Sequence, residues 1–308
     1  MPGYTLAVIG CGTMGVAILS GVLDSQRSQQ AQAAASMASP VSSLHDSSAG
    51  DDLTELPNRY IATVNRVESV RRLKKTFAHY PDIEIHAGKN VQAARDADVI
   101  LLGCKPQMVQ DIIAEEGIKE ALDGKLVISI CAGLRISQMT EWVTPKTKVV
   151  RAMPNTPCKI REGMTILTPL SPNLPNAELD RSILLSIFSA VGKSRFLDEK
   201  HFDACTALAG SGPAFACVFL EAMADGGVMM GLPRTEALEL AAQTMQGAAR
   251  MVMQSGMHPA AIKDSVTTPG GCTIAGLLNL EDGKVRSTVA RTIQAAAEHA
   301  SGLGQTKK

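Results

Sequence analysis

A short apolar strand, Thr5-Leu-Ala-Val-Ile9, runs directly into Gly10-Cys-Gly12-Thr-Met-Gly15 and then into an apolar helix from Val16 to Leu23. No other segment limits the possible folds as much. A glycine fingerprint of this spacing says little alone, but between a strand and a helix it has a mechanical meaning. Gly10 makes the tight turn, Gly12 lets a pyrophosphate approach the backbone, and Gly15 lets helix and strand pack closely.

The alternation continues downstream. Strands are expected at Tyr60–Val64, 83–86, 98–103, 126–130 and 148–152, with further ones at 164–168 and 193–197 flanking a helix from Asn176 to Val191. Strands alternating with helices imply a parallel sheet covered on both faces. Ligands bind such sheets beyond the carboxyl ends of the strands. Gly10, Arg66, Lys105, Gly133 and Asn155 all fall on that rim. At the end of the second strand an NAD site usually places Asp or Glu, whereas an Arg accommodates a 2′-phosphate. Here Asn65 and Arg66 occupy the position. NADPH is therefore expected, with NADH possible and an exposed structural Arg66 as the alternative. Between the first two strands, residues 25–57 are rich in Ser, Gln, Ala and Asp and lack apolar periodicity. They read as a disordered or loosely structured insertion.

From about Glu199 the strand pattern stops. Pro213 to Met230 is a helix apolar almost all round, with only Glu221 and Asp225 charged. Such a helix must be buried in a bundle or a subunit interface. The two carboxylates share one face, as capping or pairing groups or as catalytic ones. Helices at Thr235–Met253 and 284–300 follow, the last with Val285, Val289, Ile293 and Ala297 on one stripe. The fold class expected is α/β, an N-terminal Rossmann-type parallel-sheet domain (1–198) followed by an all-α C-terminal dimerisation domain (199–308). An interlocked homodimer or higher homo-oligomer is the expected assembly.

Thirty basic and thirty acidic residues cancel, so no long-range field draws nucleic acid or an anionic membrane, and neither is an expected partner. The N-terminus lacks the layout of a secretory or transit leader, and no apolar run is read as reaching membrane-spanning length. A cytoplasmic protein is expected. Seven cysteines without C-x-x-C pairing read as reduced small hydrophobes, and no metal site is expected.

One run remains: Asp264-Ser-Val-Thr-Thr-Pro-Gly-Gly-Cys-Thr-Ile-Ala-Gly. Gly270 and Gly271 can turn sharply and come close to a ligand. The helix that starts near Thr273 offers unpaired N–H groups at the positive end of its dipole. Thr268 and Thr273 add hydroxyls. The run is either an ordinary capped turn or a carboxylate or phosphate seat.

Arg151-Ala-Met-Pro-Asn-Thr-Pro157, Ala209-Gly-Ser-Gly-Pro-Ala214, Glu221-Ala-Met-Ala-Asp-Gly-Gly227 and Asp264–Ile274 together resemble the pyrroline-5-carboxylate reductases, which reduce a cyclic imine to proline. The likeness spans the chain apart from 25–57. It implies that Thr268, Gly270, Gly271, Cys272 and Thr273 hold the substrate carboxylate, with Thr273 bonding the ring nitrogen as the catalytic residue. It further implies that Gly10, Cys11, Gly12, Thr13, Met14 and Gly15 hold the pyrophosphate and Asn65 and Arg66 the 2′-phosphate. Asn90 would meet the ribose, and Lys105, Pro106 and Asn155 the nicotinamide. Three residues depart from the family pattern. Cys272 stands where Thr or Ala is usual, Thr268 replaces Ser, and Val64 stands where Ser often precedes Asn-Arg and so removes one phosphate donor. An imine nitrogen is basic enough to arrive protonated, which lowers the need for a positioned acid. None of the six histidines lies in a loop assigned to the site. Two rivals stay open. A β-hydroxyacid dehydrogenase would need a lysine acid, for which only Lys263 is near the bend. A non-catalytic NADPH-sensing regulator would not need Thr268 and Thr273.

Overall fold

The computed structural model describes residues 3–38 and 56–302. Contacts are densest within two compact units. One runs to Thr206 and regains the chain at Ala300; the other is Ala207–His299.

The first unit opens with β1 (Thr5–Ile9), α1 (Thr13–Ala38), β2 (Arg59–Val64), α2 (Val67–Thr76), β3 (Ile83–Ala87), α3 (Asn90–Asp96) and β4 (Val99–Leu102). It continues through α4 (Pro106–Ile113), α5 (Ile118–Ala121), β5 (Leu126–Ser129), α6 (Ile136–Trp142) and β6 (Lys148–Met153). It ends with β7 (Gly163–Leu167), α7 (Ala177–Ser189), β8 (Gly192–Phe196) and α8 (Phe202–Cys205). The eight strands form one sheet in the order β3-β2-β1-β4-β5-β6-β7-β8.

Alternation along each strand sends successive side chains to opposite faces. Leu6 and Val8 join Ile18, Leu19, Leu184 and Phe188 on one side, while Ala7 and Ile9 join Ile100, Val109 and Ile113 on the other. The strand order reverses between β1 and β4, and that is where a doubly wound sheet opens a ligand crevice.

Two expectations need correction. The segment after Asp24 is not structureless at its start, because α1 continues to Ala38. Gln, Ala and Arg have high helix propensity, and no proline intervenes before Pro40. Propensity extends the helix where apolar periodicity has already stopped. The rest of the predicted insertion, up to residue 55, lies outside the described residues. The sheet is also not uniformly parallel: β7 runs antiparallel to β6, and β8 runs parallel to β7. Residues 154–162 between β6 and β7, a 3₁₀ turn at Thr156–Ile160 included, are too few for the parallel crossover of a dozen or more.

The second unit is helical, with α9 (Gly212–Met229), α10 (Arg234–Ser255), α11 (Pro259–Ser265) and α12 (Cys272–Asp282). The last helix, α13 (Val285–Gly302), continues beyond the unit's end. Within 207–299 the buried apolar residues are only Ala207, Ala224, Ala237, Ala241 and Ile262. Four alanines and one isoleucine make a very small core. Large apolar side chains are instead exposed, among them Val218, Phe219 and Met223 on α9 and Leu278 and Leu280 on α12. Glu221 is exposed as well, and Asp225 pairs with Arg234. By length and composition the helical run Glu199–Met229 is long and apolar enough to cross a membrane. That amends the expectation that no such run exists.

Candidate active site

The loop after β1 is held from below. The N–H groups of Gly10 and Cys11 both donate to the Thr63 carbonyl, at 3.1 and 2.8 Å, and the Gly12 N–H donates to the Gly10 carbonyl at 2.7 Å. These amides are therefore committed. The N–H groups left for an anion are those that open α1, from Thr13 onward. Gly10 sits at φ +75°, where a Cβ would lie 2.6 Å from the Cβ of Cys104. Gly15 faces Val8 so closely that a Cβ would meet its Cγ1 at 3.0 Å. Cys11 is fully buried, and burial pushes its thiol up to about 12. It serves the loop through its backbone.

Beside this loop lies a cleft of about 780 Å³ at the carboxyl ends of β1, β2 and β4. Seven of the residues predicted for cofactor binding line it together: Gly10, Cys11, Gly12, Asn65, Arg66, Asn90 and Lys105. Asn65 and Arg66 are exposed, Arg66 standing just ahead of α2. Asn90 is already engaged at both ends of its amide: its Oδ1 accepts from Thr63 and its Nδ2 donates to Glu115, each at 2.8 Å. The remaining predicted residues lie elsewhere. Thr13 borders a neighbouring cleft of about 470 Å³, Met14 packs against the core, and Pro106 starts α4. Asn155 is buried, and its Oδ1 accepts the Met164 N–H at 2.8 Å, clasping β7. It does not line the larger cleft. The motif's Arg151 is likewise committed, to Glu199 at 2.7 Å and to the face of Phe202 at 4.7 Å.

Sequence reasoning missed Ser69 and Arg72, which line the same cleft. Their spacing from Arg66, three and six residues on, puts all three along one side of α2. That signal was available.

The glycine-rich bend predicted for the substrate lies in the second unit. Gly270 adopts φ +66°, so the chain turns left-handed ahead of α12. The Gly271 N–H donates back to the Thr268 carbonyl at 3.1 Å. A Cβ on Gly271 would meet the Thr268 hydroxyl oxygen at 2.5 Å, so that hydroxyl lies directly over the glycine. No side chain caps the start of α12. Its first amides, at Cys272 and Thr273, therefore face outward at the positive end of an eleven-residue helix. Cys272 is exposed and Thr273 half-buried. Lys263, in α11 ahead of the bend, is paired with Asp264.

Known proteins share both halves. Residues 199–303 match the family model described as pyrroline-5-carboxylate reductase dimerisation, and residues 5–133 match one described as NADP oxidoreductase coenzyme F420-dependent. A pyrroline-5-carboxylate reductase of Lophium arboricola is 47% identical over 98% of this chain and 93% of its own. One from Schizosaccharomyces pombe is 45% identical over 99% of this chain and all of its own. Among solved structures, the pyrroline carboxylate reductase of Plasmodium falciparum with NADP bound superposes with a TM-score of 0.75 at 28% identity, covering 99% of this chain and 100% of that one. The Coxiella burnetii pyrroline-5-carboxylate reductase gives 0.79 at 27% identity, covering 98% and 99%.

Proposed function

This chain belongs to the pyrroline-5-carboxylate reductase family, and we propose how that family's chemistry is divided between its two units. It is an NAD(P)H-dependent oxidoreductase that reduces the cyclic imine L-1-pyrroline-5-carboxylate to L-proline, the last step of proline biosynthesis. The first unit holds the dinucleotide, with its pyrophosphate at the N–H groups opening α1 and its 2′-phosphate at Asn65 and Arg66. Lys105, Pro106 and Asn155 serve the nicotinamide end, Asn155 by bracing β7. When bound, the reduced dinucleotide supplies the hydride that the C=N bond accepts.

The second unit holds the acceptor. Amides at Cys272 and Thr273 receive its carboxylate, Thr268 adds a hydroxyl, and Gly270 and Gly271 supply the turn. The observation that carries this assignment is the uncapped start of α12 behind a left-handed Gly270, with the Thr268 hydroxyl folded over Gly271. The Thr273 hydroxyl hydrogen-bonds the ring nitrogen and fixes its orientation. Because the nitrogen arrives protonated, Thr273 positions the ring and does not act as a strong acid, and orientation supplies most of the rate.

NADPH consumption measured with pyrroline-5-carboxylate tests this. The wild-type chain should turn over, and absence of turnover would remove the functional assignment. Thr273→Ala should lower kcat by about tenfold, the equivalent of one hydrogen bond, and leave residual activity. An unchanged kcat would remove its role.

NADPH is preferred over NADH because Arg66 stands where the 2′-phosphate falls and no carboxylate replaces it. Arg66→Ala should raise KM for NADPH about tenfold to a hundredfold, as expected for hydrogen bonds to a charged group, and leave KM for NADH unmoved. Equal shifts for both cofactors would assign Arg66 to general packing.

A homodimer or higher homo-oligomer is the assembly we assign, built on the apolar helices beyond a domain boundary at 198/199. The small-molecule substrate is the external partner. Balanced charge argues against a nucleic acid or membrane partner, and we place the enzyme in the cytoplasm.

A further inference from the structure

The ends of β4 and β5 carry a feature that dinucleotide binding does not use. The two strands pair in parallel, with Val99 opposite Leu126 and Leu102 opposite Ser129. The ladder runs one step further, because the Ile130 N–H donates to the Leu102 carbonyl at 3.0 Å. Two residues beyond the last registered pair stand Cys104 and Cys131. They stand on neighbouring chain segments just past the two strand ends, and a disulfide needs a Cα separation of about 4.4–6.8 Å.

The side chains meet as well. The Cys131 thiol donates to the Cys104 carbonyl at 3.2 Å. Ionisation of the pair falls on Cys131, because the Cys104 thiol then donates to it and the Ser129 hydroxyl adds a second hydrogen bond. Cys104 keeps its proton for the same reason. Access comes from one side only: Cys104 lines the large cleft, whereas Cys131 is buried.

We propose that Cys104 and Cys131 are an oxidisable dithiol at the dinucleotide cleft, closed to an intramolecular disulfide by peroxide, and that closure weakens dinucleotide binding. Peroxide entering from the cleft meets Cys104, whose proton passes to the Cys131 thiolate as the Cys104 sulfur attacks a peroxide oxygen and releases hydroxide, leaving a sulfenic acid on Cys104. The second thiol displaces water from it. Two thiols and one hydrogen peroxide give one disulfide and two waters. The coupling to binding is steric. Gly10 has no room for even a Cβ beside Cys104, so any movement of Cys104 toward Cys131 moves the surface against which the Gly10–Gly12 turn is packed. A bound dinucleotide covers Cys104 and slows the reaction. This inference rests on the cleft being the dinucleotide site, but its first readout does not.

The test treats the full chain with hydrogen peroxide, with and without NADPH, blocks remaining thiols and digests with trypsin. Cys104 falls in peptide 96–119 and Cys131 in peptide 126–135. The expected product is a crosslink between these two peptides, lighter by two hydrogens than their sum and cleaved by dithiothreitol. NADPH affinity, read by fluorescence titration, should fall on the order of tenfold in the oxidised protein and return on reduction. Preincubation with NADPH should slow the crosslink. Cys131→Ser should show no crosslink and no dithiothreitol-reversible loss of affinity. Phenylarsine oxide, which bridges neighbouring thiols, should bind the unmutated protein at one equivalent and compete with the crosslink. Separate alkylation of both cysteines after peroxide, or a crosslink to any other cysteine, overturns the dithiol. A 104–131 crosslink with unchanged NADPH affinity overturns its coupling to binding. A missing crosslink leaves the reductase assignment intact, because turnover is measured on the reduced protein.

Discussion

Gly10→Ala is expected to lose dinucleotide binding by about a hundredfold or more, with turnover falling alongside. Two costs add. A non-glycine residue held in the left-handed region loses about 1–2 kcal/mol, and Gly10 lies at φ +75°. The added methyl would also stand 2.6–2.7 Å from the Cβ, Cα and N of Cys104. Overpacking of this kind typically costs about 1–3 kcal/mol when the neighbours can shift. Here two of the three atoms are backbone, so the loop gives way instead. It moves away from the Thr63 carbonyl that both Gly10 and Cys11 grip, and the start of α1 moves with it. Gly124→Ala separates strain from collision. Gly124 has φ +72° but nothing within 4 Å of a Cβ, and it lies outside the cleft. Its substitution should cost about 1–2 kcal/mol of stability and leave NADPH affinity unchanged. If both variants bind equally well, the glycine turn is not the pyrophosphate support.

The second large effect concerns assembly. A unit whose buried apolar residues are four alanines and an isoleucine cannot hold five helices by its own core. The side chains that would form a core, Phe219 and Met223 of α9 among them, face outward in the single chain. In the homo-oligomer proposed above a second copy supplies the missing surface, so folding of this unit and association are one process. Thermal unfolding should therefore rise with protein concentration, as it does for obligate oligomers. Phe219→Arg with Met223→Arg places two like charges one helical turn apart on the contact face. The double variant should sediment as a monomer, lose helical circular dichroism and lose activity. A monomer that keeps its helicity and a melting temperature independent of concentration would refute this account of the helical unit.

The central strands β1, β4 and β5 were the most legible part of the fold, because each is a short apolar run. The end of α1 was not legible from periodicity. Residues 24–38 present no apolar stripe, and only propensity continues the helix. The reversal of β7 was legible and overlooked, since nine residues cannot make a parallel crossover. At the site, sequence motifs found residues but not what their side chains do. Asn90 and Asn155 read as ligand groups, yet the fold assigns one to Thr63 and Glu115 and the other to Met164. Partners that distant in the chain leave no local spacing to read. Ser69 and Arg72, by contrast, follow Arg66 at helical intervals and could have been found. Apolarity all round α9 was visible in the sequence. Its exposure in the single chain was not, because burial depends on how the other helices pack.

The most direct measurement is a crystal structure of the oxidised-cofactor complex with a saturated five-membered-ring carboxylate, collected from the wild-type chain and from Thr273→Ala. The carboxylate should lie against the amides of Cys272 and Thr273, within hydrogen-bond reach of the Thr268 hydroxyl, and the ring should lose its fixed orientation in the variant. A carboxylate seated on any other part of the chain, with the start of α12 left to solvent, would contradict it.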